Sequence, residues 1–262
     1  GSMDEVRVSK GIARWTANFP PPGAPYGSDF VVSLLHMNRT HGSTTFTDDA
    51  AGGTHEWARY GDAHIDTAQS KFGGASGLFD GAGDYIQTAD SEDWNFGSGD
   101  FTWDCQIRFN ALPANGEMMV IEGTGDYLVS PYGGWNLVLY NNAGTYELRF
   151  YFWSAAGGVL ASKVHSVSVS TGVWYHVAVI RNGINLYISL DGTLSSAANW
   201  TGITQVDNNN ALRTGAMFSG GLSNRIAFNG WLDERRISKG IAQWTSNFTS
   251  PGDEYYATSD TT

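Results

Sequence analysis

Apolar residues recur at every second position in many short runs of the chain. FTWDCQIRF is the clearest: Phe101, Trp103, Cys105, Ile107 and Phe109 alternate with Thr102, Asp104, Gln106 and Arg108. Successive side chains of a strand point to opposite faces, so the pattern predicts a strand with one face in a core. SGLFDG, DYIQT, MMVIEG, GWNLVLYN, YELRFYFWS, SKVHSVSV, VWYHVAVIRNG, INLYISLDG, MFSGGL and FNGWLDERRIS read the same way. Gly and Asn separate most of them, and the segments Phe79–Tyr85 and Arg181-Asn182-Gly183 read as hairpin turns needing positive φ. About twelve to fourteen strands predict an all-β, two-sheet antiparallel sandwich. After DERRIS, the run SKGIAQWTSNF is expected to form a short helical turn, with Ile241 and Trp244 three apart, capping the sandwich edge.

Composition sharpens this picture. The 262 residues include 33 Gly and 10 Trp but only 16% charged residues, which suits short strands and turns rather than long surface helices. A net charge of −11 disfavours capture of nucleic acid or anionic membrane. No apolar run is long enough to span a bilayer, and no signal peptide is visible. The single cysteine, Cys105, has no disulfide partner in its own chain and reads as a small buried hydrophobe.

The two ends of the chain nearly repeat one another. Residues 4–19 and 233–248 agree at 12 of 16 positions, with Val6/Arg235, Val8/Ile237, Arg14/Gln243 and Ala17/Ser246 differing. Nothing between them repeats, which excludes a short-period solenoid. The expected organisation is a tag remnant at 1–3, the tail of a preceding repeat at 4–26, one module at 27–256 and a C-terminal tail at 257–262. Trp15 is expected to dock against the module, as at each junction of a tandem array.

Four segments carry a family likeness: the stretch from Ala75 to Ile86, FGSGDFTWDCQIRF, WYHVAVIRNGINLYISLDG and FNGWLDERRISKGIAQWT. Together they resemble laminin-G-like members of the concanavalin-A-like lectin/glucanase superfamily, of the type found in phage tail and prokaryotic surface proteins. The resemblance implies a jelly roll whose first and last strands are neighbours, and it implies no single function. Many relatives have Trp where this chain has Gln106, which affects any ligand platform built there.

An enzyme of this fold needs two carboxylates flanking the scissile bond. No Glu-x-Asp-x-Glu triplet is present; Glu92-Asp93 and Asp48-Asp49 are sequence neighbours in turn-rich segments, where capping is the usual role. The Gln-x-His pair of the alginate-lyase relatives is also missing, because Arg108 follows Gln106. The histidines, 36, 41, 55, 64, 165 and 176, lack catalytic zinc spacing, and His176 in WYHVAVI reads as a hydrogen-bonded structural residue. Asp104 and Glu147 on facing strands are the remaining candidate acid pair.

Lectin sites combine aromatic platforms with polar groups that bind hydroxyls. If Leu148, Phe150 and Phe152 face the core, then Glu147, Arg149, Tyr151 and Trp153 line the opposite face. Tyr140, Tyr187, Asp104, Gln106 and Arg108 are expected to join them in a shallow glycan groove, unless that face packs beneath another layer. Trp57 and Trp200 offer an alternative on the loop rims, while Trp94 resembles a family position that packs the edge. Relatives often carry a structural Ca²⁺ near the last strand, for which Asp233 and Asp48 are the candidate ligands. The expected function is a non-catalytic carbohydrate-binding or adhesion module of a phage tail or cell surface, acting outside the cell on a surface glycan or glycoprotein. A structural spacer touching neighbouring modules and a polysaccharide-degrading enzyme are the alternatives.

Overall fold

In the strand from Phe101 to Phe109, the odd-numbered side chains are buried in the main apolar cluster and the even-numbered ones leave by the other face. The computed structural model describes residues 30–50, 55–125, 132–217 and 225–255. The expectations for residues 1–26, Trp15 included, and for 257–262 lie outside the described residues.

The strands, in order, are β1 (Val31–Leu35), β2 (Ala58–Tyr60), β3 (His64–Asp66), β4 (Ser76–Asp80), β5 (Tyr85–Thr88), β6 (Phe101–Phe109), β7 (Met118–Gly123), β8 (Trp135–Asn142) and β9 (Thr145–Trp153). They continue as β10 (Val159–Val167), β11 (Trp174–Asn182), β12 (Asn185–Leu190), β13 (Thr193–Leu194), β14 (Ala198–Asn199), β15 (Leu212–Thr214), β16 (Arg225–Ile226) and β17 (Asn229–Lys239). One sheet has nine strands, in the order β13-β12-β11-β6-β17-β4-β3, with β1 on β17 and β14 on β12. The other has eight, in the order β10-β9-β8-β7-β15-β5-β2, with β16 parallel to β7. This is the expected two-layer jelly-roll sandwich, and β1 pairs with β17 as the family likeness implies. Sequence alternation missed the short strands of two or three residues, which show too few positions for a period to register.

Two local expectations need correction. The segment from Phe79 to Tyr85 is not a hairpin: β4 belongs to the nine-stranded sheet and β5 to the eight-stranded one, so the turn crosses between layers. Its glycines do take positive φ, 82° at Gly81 and 98° at Gly83, and buried Asp84 holds the crossing by accepting the Asp62 and Asp80 amides. The Arg181–Gly183 turn is a hairpin, joining β11 to β12.

No helix forms after β17 among the described residues. The Thr102 hydroxyl donates to the Ile241 carbonyl at 3.1 Å and accepts the Gln243 amide at 2.9 Å, drawing the backbone flat onto the sheet where a helix needs its own i to i+4 bonds. The one helical element among the described residues is the 3₁₀ turn Glu92–Trp94.

The inner faces meet in one apolar layer rich in rings: Phe101 stacks on Phe96 at 4.0 Å and lies 5.8 Å from Phe150 across the layer. Trp57 and Trp200 belong to this core rather than to loop rims. Trp200 packs on Phe152 at 4.8 Å, and Trp57 lies over Arg235 at 5.1 Å.

That arginine is fully buried, and two β-bulges put it there. Between Asp233 and Arg236, β17 carries one residue more than β6, with Glu234 at φ 52°, so Arg235 turns inward opposite Cys105. β7 has a register shift between Val120 and Glu122, and Glu122 points inward beside Leu137. The Arg235 guanidinium therefore spans the layers to Glu122, with Nε at 3.0 and 3.1 Å from its two oxygens and Nη2 also bonded to it. Arg235 Nη1 donates to Ser33 Oγ at 2.7 Å, and Thr214 Oγ1 donates to Glu122 at 2.9 Å.

A buried pair adds little net stability over apolar residues of the same shape, but removing one partner strands the other. Arg235→Val is expected to destabilise the protein by about 3–5 kcal/mol, and the double change with Glu122→Leu to recover most of that loss. Urea unfolding of the wild type, both single variants and the double variant measures the coupling.

Candidate functional site

The outer face of the nine-stranded sheet carries Asp104, Gln106, Arg108 and Tyr187, and most of this face is roofed. Residues 241–255 leave β17 and cross it as a strap. Trp244 and Phe248 stack on each other at 4.0 Å, and both lie edge-on to His176. The Phe248 amide donates to the Gly192 carbonyl, and the strap returns to place the Tyr255 ring over Arg236 at 4.5 Å. A cavity of about 590 Å³ remains within the strap, between Arg236, Trp244, Phe248 and Tyr255.

Beneath the strap is an ionic cluster. Arg236 donates two bonds to Asp104, at 3.0 and 3.1 Å, and His176 Nε2 lies 3.3 Å from the same carboxylate. Burial pushes the Asp104 carboxyl up, but Arg236 and His176 outweigh it and hold it below the usual carboxylate range. His176 is thus the hydrogen-bonded structural residue its sequence context suggested. Gln106 Nε2 donates to the Tyr255 hydroxyl. Burial also drives the Cys105 thiol well up, which suits a packing residue and not a nucleophile.

The expectation that Asp104, Gln106, Arg108 and Tyr187 share a groove with Glu147–Trp153 is therefore corrected. β6 and β12 lie in one sheet and β9 in the other, so the two sets point outward from opposite sides of the sandwich. The same geometry dissolves the candidate acid pair, since Asp104 and Glu147 diverge and each is held by its own arginine.

On the eight-stranded sheet the predicted row is present. Glu147, Arg149, Tyr151 and Trp153 share the outer face of β9, and Tyr140 and Asn136 lie opposite Glu147 and Tyr151 on β8. Arg149 sits 3.9 Å over the Tyr140 ring, and its Nε donates to Glu147 at 2.8 Å. Tyr151 and Trp153 stack at 5.2 Å, but they are only 8% and 4% exposed, so they form a floor rather than an open platform. Asn136 accepts the Trp153 indole N–H, and Gly125 packs so closely on that ring that a Cβ would collide with it.

Sequence reasoning missed a second set on the same face. Tyr60 of β2 stacks on Tyr85 of β5 at 4.4 Å, and Arg213 of β15 lies 4.6 Å over Tyr85 while donating to Gln87. Tyr60 is 40% exposed, the most open ring on this face among the described residues. Its strand is three residues long, so the only available signal was DYIQT, in which Tyr85 and Gln87 alternate with buried Ile86.

The two candidate metal ligands are not brought together. Asp48 accepts the Leu34 and Ala50 amides and the Ser33 hydroxyl, while Asp233 Oδ2 accepts the Lys71 and Phe72 amides. Among the described residues, the three carboxylates that do converge are Asp62, Asp80 and Asp84, with ligand atoms within 4.8 Å of one another.

Residues 80–244 match the family model Laminin_G_3, described as the concanavalin A-like lectin/glucanases superfamily. The chain belongs to that superfamily. No curated protein sequence matches it. Similar solved structures of this jelly-roll type include the binding domain of Paraclostridial Mosquitocidal Protein 1, at 15% identity and TM-score 0.59, covering 80% of this chain and 49% of that one. The receptor-binding domain of botulinum neurotoxin C/D mosaic serotype has TM-score 0.59 at 15% identity, over 81% of this chain and 48% of that one. Domain 4 of AbnA, a GH43 extracellular arabinanase from Geobacillus stearothermophilus solved with arabinotriose, has TM-score 0.56 at 13% identity, over 81% and 93%. The chain thus spans about half the length of the two toxin domains. At these identities the likeness to the solved structures is one of fold alone; the two toxin neighbours are binding domains, and the AbnA domain was solved with arabinotriose. No helix among the described residues is long and apolar enough to cross a membrane.

Asp233 gives this superfamily member a distinctive pH dependence. Burial, the largest influence, raises its carboxyl from 3.8 to about 7. Between these values the folded chain binds more protons than the unfolded chain, so this contribution is full below about pH 4 and is lost as pH rises through about 7. Asp233→Asn is expected to flatten the pH dependence of stability between pH 4 and 7, by on the order of a few kcal/mol. Urea midpoints of both proteins across that range check it.

Proposed function

We propose that the module is a non-catalytic binding domain that recognises a hydroxyl-rich saccharide of a cell-surface glycan or glycoprotein through the outer face of its eight-stranded sheet. One observation carries this reading: two arginine-backed aromatic sets, Tyr140–Arg149 and Tyr60–Tyr85–Arg213, share that face. β8 and β5 are three strand spacings apart, roughly 14 Å, so the sets suit an extended oligosaccharide of several rings. Apolar ring faces accept sugar C–H groups, while the Glu147–Arg149 pair and Gln87 supply hydroxyl partners. The arabinotriose complex of the AbnA domain supports the class of ligand.

The proposed setting is extracellular, on a virion tail or cell surface. The near-repeat of residues 4–19 and 233–248 favours a second role as one unit of a tandem array touching neighbouring modules.

Calorimetric titration against a panel of neutral and acidic oligosaccharides, arabino-oligosaccharides included, tests the binding reading. Tyr60→Ala and Arg149→Ala are each expected to weaken binding about tenfold. Absence of saturable binding to the whole panel, or binding indifferent to both changes, overturns it.

A structural Ca²⁺ on Asp62, Asp80 and Asp84 forms part of the proposal. Asp84 already accepts two amides, leaving Asp62 and Asp80 to supply most of the coordination. Added Ca²⁺ is expected to raise the melting midpoint and chelator to lower it, because an ion bound only by the folded state stabilises that state. An unchanged midpoint removes calcium from the proposal.

A further inference from the structure

The repeated ending reaches further than Phe248. Pro22, Gly23 and Tyr26 match Pro251, Gly252 and Tyr255, so residues 4–26 agree with 233–255 at 15 of 23 positions. The match stops where the strap is fastened, at Tyr255. The retained positions include the anchors: Asp4, Arg7, Gly11, Trp15, Phe19 and Tyr26 stand for Asp233, Arg236, Gly240, Trp244, Phe248 and Tyr255. In the folded module these anchors accept loop amides, pair with Asp104, take φ 86°, stack on each other edge-on to His176 and close the strap. One chain therefore holds two segments fit for the same slot between β6 and β1.

Four differences separate residues 4–19 from 233–248, and they are unequal. Val8 would preserve the apolar core position of Ile237, and Ser246, which Ala17 matches, is exposed. Gln243/Arg14 puts a longer, charged side chain where Gln243 is buried against Ser238. Val6 in place of Arg235 has the largest consequence, because it faces Glu122. With Val6 in the slot, the buried carboxylate keeps the Thr214 hydroxyl and loses its guanidinium, and Ser33 Oγ loses a donor.

We propose that the Glu122–Arg235 pair is a specificity determinant by which the slot selects residues 233–255 over the near-copy at 4–26 of the same chain or of a second copy. Removing one partner of a buried pair corresponds to roughly a hundred- to several-thousandfold in an equilibrium constant, enough to decide between segments that otherwise match. A mismatched interior charge is an economical way to reject a near-identical competitor. The inference stands on the sequence repeat and the interior geometry, and is independent of the saccharide reading.

Moving the arginine from one segment to the other tests it. Arg235→Val in the full chain is expected to lower folding stability at least a hundredfold. Adding Val6→Arg is expected to restore most of it, with hydrogen-exchange protection appearing in 4–19 and falling in 233–248. Light scattering of the rescued protein distinguishes insertion within one chain from exchange between two. If Arg235→Val does not fold, recovery of folded protein by the double variant is the readout. The proposal is overturned if Val6→Arg gives no rescue, or gives rescue without protection of 4–19; deleting residues 1–26 from the double variant must abolish any rescue.

Discussion

An ion pair with no solvent contact joins the two layers of this sandwich. Glu122 and Arg235 arise from different sheets, and each sits beside a bulge that shifts the register of its strand. The bulges that aim them at each other also fix the inner faces in register, because a slip on either side would separate the charges. Neighbours from other strands join the pair: Ser33 from β1 and Thr214 from β15 bond to it, and the Trp57 ring lies against the guanidinium. A half-satisfied network of this kind would be worse than an apolar interior, so these contacts stand or fall together.

The outer faces of the sheets divide the remaining chemistry. On the nine-stranded side, Asp104 pairs with Arg236, His176 bonds to the same carboxylate, and the aromatic rings of the strap seal them. On the eight-stranded side, the arginines lean on tyrosines, at Tyr140 and at Tyr85, and the face is not covered by the strap. The polar groups on the first side serve cohesion, while those on the second carry the proposed saccharide site.

Most of the layering was legible because a two-residue period needs only a few positions to declare itself, as FTWDCQIRF and YELRFYFWS do. Which sheet each strand joins was not legible: Asp104 and Glu147 look equivalent in sequence, and only the crossing from β6 to β7 and the strand order part them. Trp57 and Trp200 sit among turn residues, yet both rings fold inward, since turn residues govern the backbone and not the destination of a large apolar side chain. The stretch after β17 has the spacing of a helix face in Ile241 and Trp244, but the Thr102 hydroxyl competes for the backbone and wins. Tyr60 escaped notice because a three-residue strand offers no period to read.

The fastening of the strap has a mechanical meaning. Tyr255 is tied by its amide to Glu234, by its ring to Arg236 and by its hydroxyl to Gln106, so the chain is latched to the middle of β17 and not to its end at Lys239. Tension applied at residue 255 reaches the sheet at Glu234 and Arg236, leaving the intervening loop slack. The load then falls on the interior of β17, which is paired with β6 and β1. Backbone hydrogen bonds on both sides of that point share it, whereas peeling from the strand end would break them one at a time.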